Sequence, residues 1–397
     1  MHFLIMGIVL VMLSGCGVGG FQGPDNTYGN PTPDVQLKRV AGQVSLGPVV
    51  GGQVSIYNLN SNGSTGQLLK TTVTNGFSQY TSSVAITGPS LYVATGGSYT
   101  DEATGQTMTI PTASPLRAAM DTVSSTMSIA ITPLTELAVQ QASTLLIATN
   151  IASANLLVSS LFKFDIVATQ PLAPTTDDFA QLNVIQAQKD YALALAGISQ
   201  MAVDYYSGSL TGVLAAMYYD ISNNQKLSSA TALQFTTALS HFLASTNNQT
   251  GVRDINATNL ANAGGPSLTL KLVTTGQLPA GVSIYGVQLH LTLPAGVTIR
   301  VSDFTTYQAD SLVVYSSGVF PANLNAYGKY TPAAGGQPAT LALAVPQASG
   351  SLVGEFLTVI CDLPPGTSYT SADFAVSQVE VVDGNGAVIP GITVAPQ

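Results

Sequence analysis

Ile129-Ala-Ile-Thr132-Pro133-Leu-Thr-Glu136-Leu137-Ala138 is where this chain changes from one kind of backbone to another. Ile-Ala-Ile suits a strand. Thr132 suits a helix N-cap, Pro133 the first helical position, and Glu136 the first turn, where a carboxylate meets the positive end of the helix dipole. Leu134, Leu137, Ala138, Ala142 and Leu145 then keep a 3.6-residue period. The stretch therefore predicts a β-module ending at 133 and a helical one starting at 134. Outward from it, apolar alternation fills the chain before this point and returns after residue 262. The fold class that follows is mainly β with a helical middle domain: two β-sandwiches flanking an α-helical bundle.

Upstream, Val44, Val54, Ile56, Leu68, Val73, Tyr80, Val84, Leu91 and Val93 fall in short runs split by Gly, Asn and Pro. Gly42-Gln-Val44, Gly51-Gly-Gln-Val54-Ser-Ile56-Tyr57, Thr74-Asn-Gly76 and Tyr80 follow in an order that resembles the carboxypeptidase-regulatory (transthyretin-like) β-sandwich. The resemblance implies a structural or spacer module over residues 37–133, with no catalytic residue to carry over.

Downstream, helical periodicity continues around 150–162, 177–206, 209–222 and 228–245, with Asp177 and Ser228 as caps and Pro171 and Pro174 as breaks. Leu182, Ile185, Tyr191, Leu195, Met201, Val213, Met217, Leu233 and Phe242 are the expected core of a bundle spanning 134–262. The Asn/Ala/Gly stretch from Asn256 to Pro266 is the next boundary.

From residue 263 to 397, Leu268, Leu270 and Leu272 share one strand face, as do Val287, Leu289, Leu291 and Leu293. Leu278-Pro-Ala-Gly-Val282 recurs as Leu293-Pro-Ala-Gly-Val297, two turn units flanking one strand. Gly286-Val-Gln-Leu289-His-Leu291, Gly354-Glu-Phe356-Leu-Thr-Val359, Ala372-Asp-Phe374 and Val382-Asp-Gly-Asn-Gly386 keep an order similar to that of cohesin-like jelly-roll domains. Pro294-Ala-Gly296 stands where cellulosomal cohesins carry an Asp-Pro turn, so the resemblance implies the sandwich rather than dockerin binding.

At the other end, Phe3 to Leu13 is an apolar run too short to span a bilayer. It closes on Leu13-Ser14-Gly15-Cys16, which resembles the lipobox of bacterial lipoproteins. That family implies a signal peptide over 1–15, removed before Cys16, and acyl chains on Cys16 that anchor the chain to a membrane. Gly17 differs from the Asp that many Gram-negative bacteria read as an inner-membrane retention signal, which implies the outer membrane or cell surface. Residues 16–36, rich in Gly, Pro and Asn, read as a flexible tether.

Only 8% of the 397 residues are charged, against roughly 25% in ordinary soluble domains. The surface must therefore be built largely from Ser, Thr, Asn, Gln and Gly, as in many secreted β-rich proteins. A net charge of −9 offers no attraction to phosphate backbones and argues against nucleic acid as a partner. Cys361 is left without an intramolecular partner and reads as a small buried hydrophobe.

Motifs for chemistry are few. His241 and His290 fall in different expected domains, without a ligand cluster around either. Asp101-Glu102 and Asp177-Asp178 are adjacent pairs that read as solvated or capping charge. Glu355 and Asp362 bracket one strand, about 23 Å apart if it is extended, too far for glycosidase chemistry. A carboxylate-based envelope hydrolase is the enzyme alternative, and no catalytic motif supports it. Asp383 and Asn385, in Asp383-Gly-Asn385-Gly386, supply two oxygen side chains that could bind calcium or simply form a hairpin turn. Tyr307, Tyr315, Tyr327 and Tyr330 offer aromatic surface for a protein or a polysaccharide, in a chain with 16 Tyr and no Trp. The functional expectation is a binding or scaffolding protein that meets an extracellular or envelope protein partner through its C-terminal sandwich. Glycan binding is the alternative.

Overall fold

A computed structural model describes residues 36–122 and 124–397. The lipobox, Cys16 and all but the last residue of the tether expected over 16–36 lie outside them. Eight strands come first: β1 (Lys38–Gln43), β2 (Val50–Leu59), β3 (Thr65–Val73), β4 (Gln79–Val84), β5 (Ser90–Thr100), β6 (Thr107–Ile110), β7 (Leu116–Met120) and β8 (Thr126–Ser128). They form a sheet in the order β4-β1-β8 and a second in the order β3-β2-β5-β6, with β7 also paired to β5. Strand β5 serves two partners by halves: Ser90–Ala94 pairs with β7, while Gly96 to Thr100 pairs with β6.

Alternation produces this core directly. In β4, Tyr80, Ser82 and Val84 point inward and their neighbours outward. Tyr80 also closes the module, since its hydroxyl donates to the Ile129 carbonyl at 2.9 Å. Gly42 lies against that same carbonyl, where any Cβ would collide. Leu68 and Val73, in one of the expected strand runs, are 48% and 58% exposed on β3, the edge strand of its sheet.

The helices are α1 (Pro133–Ala142), α2 (Ala148–Phe162), α3 (Thr176–Phe179), α4 (Gln186–Tyr205), α5 (Leu210–Asn224) and α6 (Ser229–Ala244). Thr132 caps α1 as its sequence predicts. Its Oγ1 accepts from the Leu134 and Thr135 amides, and its own amide donates to Thr135 Oγ1 at 2.8 Å. Tyr191 donates its hydroxyl proton to the Ile166 carbonyl at 2.7 Å, so the Thr132 hydroxyl donates to Tyr191, 2.6 Å away. Ser228 caps α6, but Thr175 rather than Asp177 caps α3. The helix expected over 177–206 is broken by a turn at 180–185. Leu182 in that turn is fully exposed and Ile185 is 59% exposed, because the helical period does not run through them. Leu233 faces solvent on α6, and α1 ends before Leu145, which is exposed.

The last ten strands are β9 (Ser267–Thr275), β10 (Ile284–Thr292), β11 (Val301–Asp303), β12 (Gln308–Ala309), β13 (Val314–Ser316), β14 (Tyr327–Thr331), β15 (Thr340–Ser351), β16 (Glu355–Asp362), β17 (Ala375–Val382) and β18 (Thr393–Pro396). They make a six-stranded sheet, β11-β12-β14-β15-β10-β17, and a four-stranded one, β13-β16-β9-β18. Leu270, Leu272, Val287, Leu289 and Leu291 fill the space between, and Cys361 is buried there too.

Two cores result. One runs from Val40 to Ala263 and takes in the first sandwich and the helices together; the other runs from Leu270 to Val394. They meet across a polar joint. Lys163, at the C-cap of α2 with φ +73°, buries its ammonium 3.3 Å from Asp362 and donates to the Gly265 carbonyl at 2.8 Å. Arg300 Nε lies 3.2 Å from the other Asp362 oxygen. Asn262 donates to the Gly296 and Asp362 carbonyls, and Asn259 donates to Asp190 and exchanges hydrogen bonds with the Val301 backbone. Burial pushes the Lys163 pKa down, with Asp362 opposing the shift, and pushes Asp190 up to about 6.

Candidate functional site

The outer face of the six-stranded sheet carries a trough, and its floor is set by β15. Leu341, Leu343 and Val345 of this strand point into the core, so Ala342 and Ala344 face outward. An alanine leaves the surface low. Across the sheet, Ala344 is flanked by Gln288 of β10 and Tyr327 of β14, and Ala342 by His290 and Lys329. Glu380 of β17 pairs opposite Gln288, and Gln308 of β12 opposite Lys329. Two raised walls therefore run along a low central strand and enclose a cavity of about 360 Å³.

A β-bulge shapes one end. The register between β10 and β17 shifts after the pair Gln288–Glu380, so that His290 meets Ser377. Gln378 in the bulge takes φ +51°, a left-handed conformation rare for a side-chain-bearing residue, and lines the trough. Bulges of this kind re-aim a side chain that regular pleating would place elsewhere. The trough thus combines an aromatic ring with three carboxamides (Gln288, Gln308 and Gln378), an imidazole and one charge of each sign.

The four tyrosines singled out in the sequence do not form one surface; only Tyr330 and Tyr307 meet, through the Tyr330 amide donating to the Tyr307 carbonyl at 2.9 Å. Tyr327 is 54% exposed at the trough wall. Tyr330, on the same strand, points inward and is buried, so its hydroxyl is pushed up to about 12 by desolvation. Tyr307 sits in a turn at φ +55°, edge-on to Phe304 at 5.9 Å. Tyr315 lies on the four-stranded sheet, opposite Thr358. Of the two histidines, His290 reaches the trough, while His241 lies 2.8 Å from Asp204 between α6 and α4.

Asp383 and Asn385 form the hairpin turn. Asp383 Oδ1 accepts from the Asn385 and Ala387 amides at 2.9 Å each. Asp373 is held by the Thr370 amide and hydroxyl, and Asp362 by the buried joint. Among the described residues no group of three or more His, Cys, Asp or Glu side chains could hold a metal ion. Glu355 pairs with Lys271 at 2.7 Å, at the opposite end of β16 from Asp362. Ser199 and Thr104 donate to Asp101. Its neighbour Glu102 is buried, and that burial together with the Asp101 charge pushes it up to about 8.

The trough residues other than His290 and Tyr327 escape a reading that looks for aromatic rings or catalytic motifs. One signal for them is present in the sequence: Leu341-Ala-Leu-Ala-Val345 puts a small side chain at each outward position of one strand. A larger open hollow of about 1210 Å³ lies between α6 and the loops at 294–298 and 332–339. Its walls are mostly Thr, Ser, Pro, Ala and Gly, which give little to orient a ligand.

No family model matches the chain, and no curated protein matches it. Among solved structures, a 9R-lipoxygenase from Cyanothece PCC8801 is matched at 10% identity and a TM-score of 0.18, over 91% of this chain and 44% of that one. The chain spans less than half of that protein's length, and a likeness this low carries no argument. Among the described residues no helix is long and apolar enough to cross a membrane.

Proposed function

We propose that this chain is a lipid-anchored protein of the outer membrane or cell surface that binds an extended glycan along the trough of its C-terminal sandwich. The observation that carries the reading is the trough's composition along one line: Tyr327 on one wall and the amides of Gln288 and Gln378 on the other, over a floor of Ala342 and Ala344. An exposed ring supplies an apolar face with a polar tip, suited to the C–H face of a sugar. Each carboxamide offers both donor and acceptor, the pairing that vicinal hydroxyls need. The trough opens to solvent and is lined from five neighbouring strands, a form that suits a saccharide laid across the sheet. The lipobox resemblance at Leu13–Cys16 supports the anchored location.

The test is affinity electrophoresis of the full chain carrying Cys16→Ser in gels containing soluble β-glucan, α-glucan, mannan or xylan. Retardation in one of them, abolished by Tyr327→Ala, supports the proposal. Unretarded migration in all four counts against it.

A protein partner for the same sandwich is favoured by a different observation. Leu352 is 68% exposed and Val319 39% exposed, and the Val319 carbonyl accepts from the neighbouring Ser351 hydroxyl, which places two apolar side chains together beside the β15–β16 turn. On that reading Leu352→Asp removes the partner and leaves polysaccharide retardation unchanged.

A further inference from the structure

A second cavity lies far along the chain from the trough. The loop from Pro111 to Pro115, which joins β6 to β7 where the two follow one another along β5, faces α1, α4 and α5 across a cavity of about 580 Å³. That is within the range of small-molecule sites. Tyr99, Ile110, Leu116 and Leu214 line it and are buried. At its margin Met108 and Val203 are 43% and 41% exposed, so the apolar lining continues to solvent.

The polar groups are few and defined. Arg117 donates through Nε and Nη2 to the two oxygens of Glu136, at 2.9 and 2.6 Å, and Gln140 adds a bond to Glu136 at 2.9 Å. The Glu136 carboxylate is thus saturated on the side it shows to α1 and β7. These two bonds leave the protons on Arg117 Nη1 to donate, and the side chain is 30% exposed. Asp101 contributes a second carboxylate to the wall. The wall therefore carries one guanidinium and two carboxylates. An incoming anion would meet a net negative wall, whereas a neutral oxygen can accept from Arg117 without opposing Glu136.

We propose that this pocket binds an uncharged amphiphile, with an apolar chain or ring system between the Pro111–Pro115 loop and the helices and a carbonyl or hydroxyl oxygen on Arg117. The inference rests on the pocket alone and stands apart from the glycan reading.

The test is calorimetric titration of the full chain carrying Cys16→Ser with 1-decanoylglycerol below its micellar concentration, with native mass spectrometry for stoichiometry. The expected result is one equivalent bound per chain. Affinity should fall about tenfold or more in Val203→Trp and in Met108→Trp, both substitutions at exposed mouth positions. Decanoate should bind about tenfold more weakly than the ester, and Glu136→Gln should recover much of that difference. No heat and no one-to-one adduct would overturn the proposal. So would affinity unmoved by both mouth variants while their thermal melts match the parent, or decanoate binding as tightly as decanoylglycerol.

Discussion

The helical region is joined to its two neighbours by opposite means. Toward the first sandwich the joint has an apolar centre, with the Arg117–Glu136 pair and the Ser199–Asp101 bond beside it: Ile129, Ile131, Leu134 and Leu137 are all fully buried, and strand and helix share one core. Toward the second sandwich it is polar: Lys163, Asp362 and Arg300, with Asn259, Asn262 and Asp190, stand between two separate cores. An apolar joint is non-directional and tolerates small shifts. In the polar joint Lys163 donates to the Gly265 carbonyl and Asp362 Oδ1 accepts from Ser267, while Arg300 Nε and Asp362 Oδ2 are in ion-pair range without a hydrogen bond. Buried charges of this kind are costly to displace from their partners. The C-terminal sandwich is therefore held in a defined orientation by groups that add little net stability, since desolvation offsets most of their attraction.

Removing one partner from the polar joint should have the largest effect. Asp362→Ala leaves the ammonium of Lys163 buried beside Arg300, and a loss of about 3–5 kcal/mol is expected in urea unfolding. Replacing Lys163 and Asp362 together by Met and Leu should cost much less. If the single and double variants lose the same amount, the two cores are not coupled through this pair.

In the apolar joint, Leu137→Ala should cost about 2–5 kcal/mol, by lost burial plus the cavity left behind. No double substitution should rescue it. A loss under about 1 kcal/mol would mean that strand and helix do not share the packing described here.

Acid titration sharpens the contrast. Glu102, near the apolar joint, is raised from 4.5 to about 8, so the folded state holds its proton more tightly than the unfolded chain does. Its contribution is fully present below about pH 4.5 and is lost as pH rises through about 8. Asp190, in the polar joint, behaves alike over a lower window, from 3.8 to about 6. Each tenfold change in proton affinity between folded and unfolded chains is worth about 1.4 kcal/mol. Glu102→Gln should therefore raise stability at pH 8 by a few kcal/mol and leave it nearly unchanged at pH 4.5. Thermal melts across that range would check it; parallel curves for the two proteins would contradict the assignment.

A smaller change is expected from Thr132→Ala, which removes the α1 cap and the donor to Tyr191. About 1–2 kcal/mol is expected by denaturant unfolding, with Thr132→Ser retaining most of the stability.

The same contrast explains what can be read from the sequence. Apolar periodicity and caps are local, so the switch at Thr132-Pro133, most of the longer helices and the alternating strands of both sandwiches are legible. Where period misleads, as at Leu182 and Leu233, the residues sit in a turn or on a solvent face that only tertiary packing defines. The polar joint is not legible. Lys163 and Asp362 stand far apart in the chain, and neither carries a local pattern. The trough is half visible: Tyr327 stands out by its type and His290 by its outward position. The alanine floor and the Gln378 bulge depend on which strands lie side by side. β14 and β15 are consecutive, but the place of β10 on the other side of β15 follows from a long connection rather than from any local motif.

The central claim is that the trough over β15 is the ligand surface. Its most direct test is calorimetric titration of the retained polysaccharide's oligosaccharide into the parent chain and into Ala342→Tyr, which raises the floor from the solvent side. The account predicts that affinity falls about tenfold or more, while the melting temperature is unchanged. Undiminished binding to a folded Ala342→Tyr would place the ligand elsewhere and contradict it.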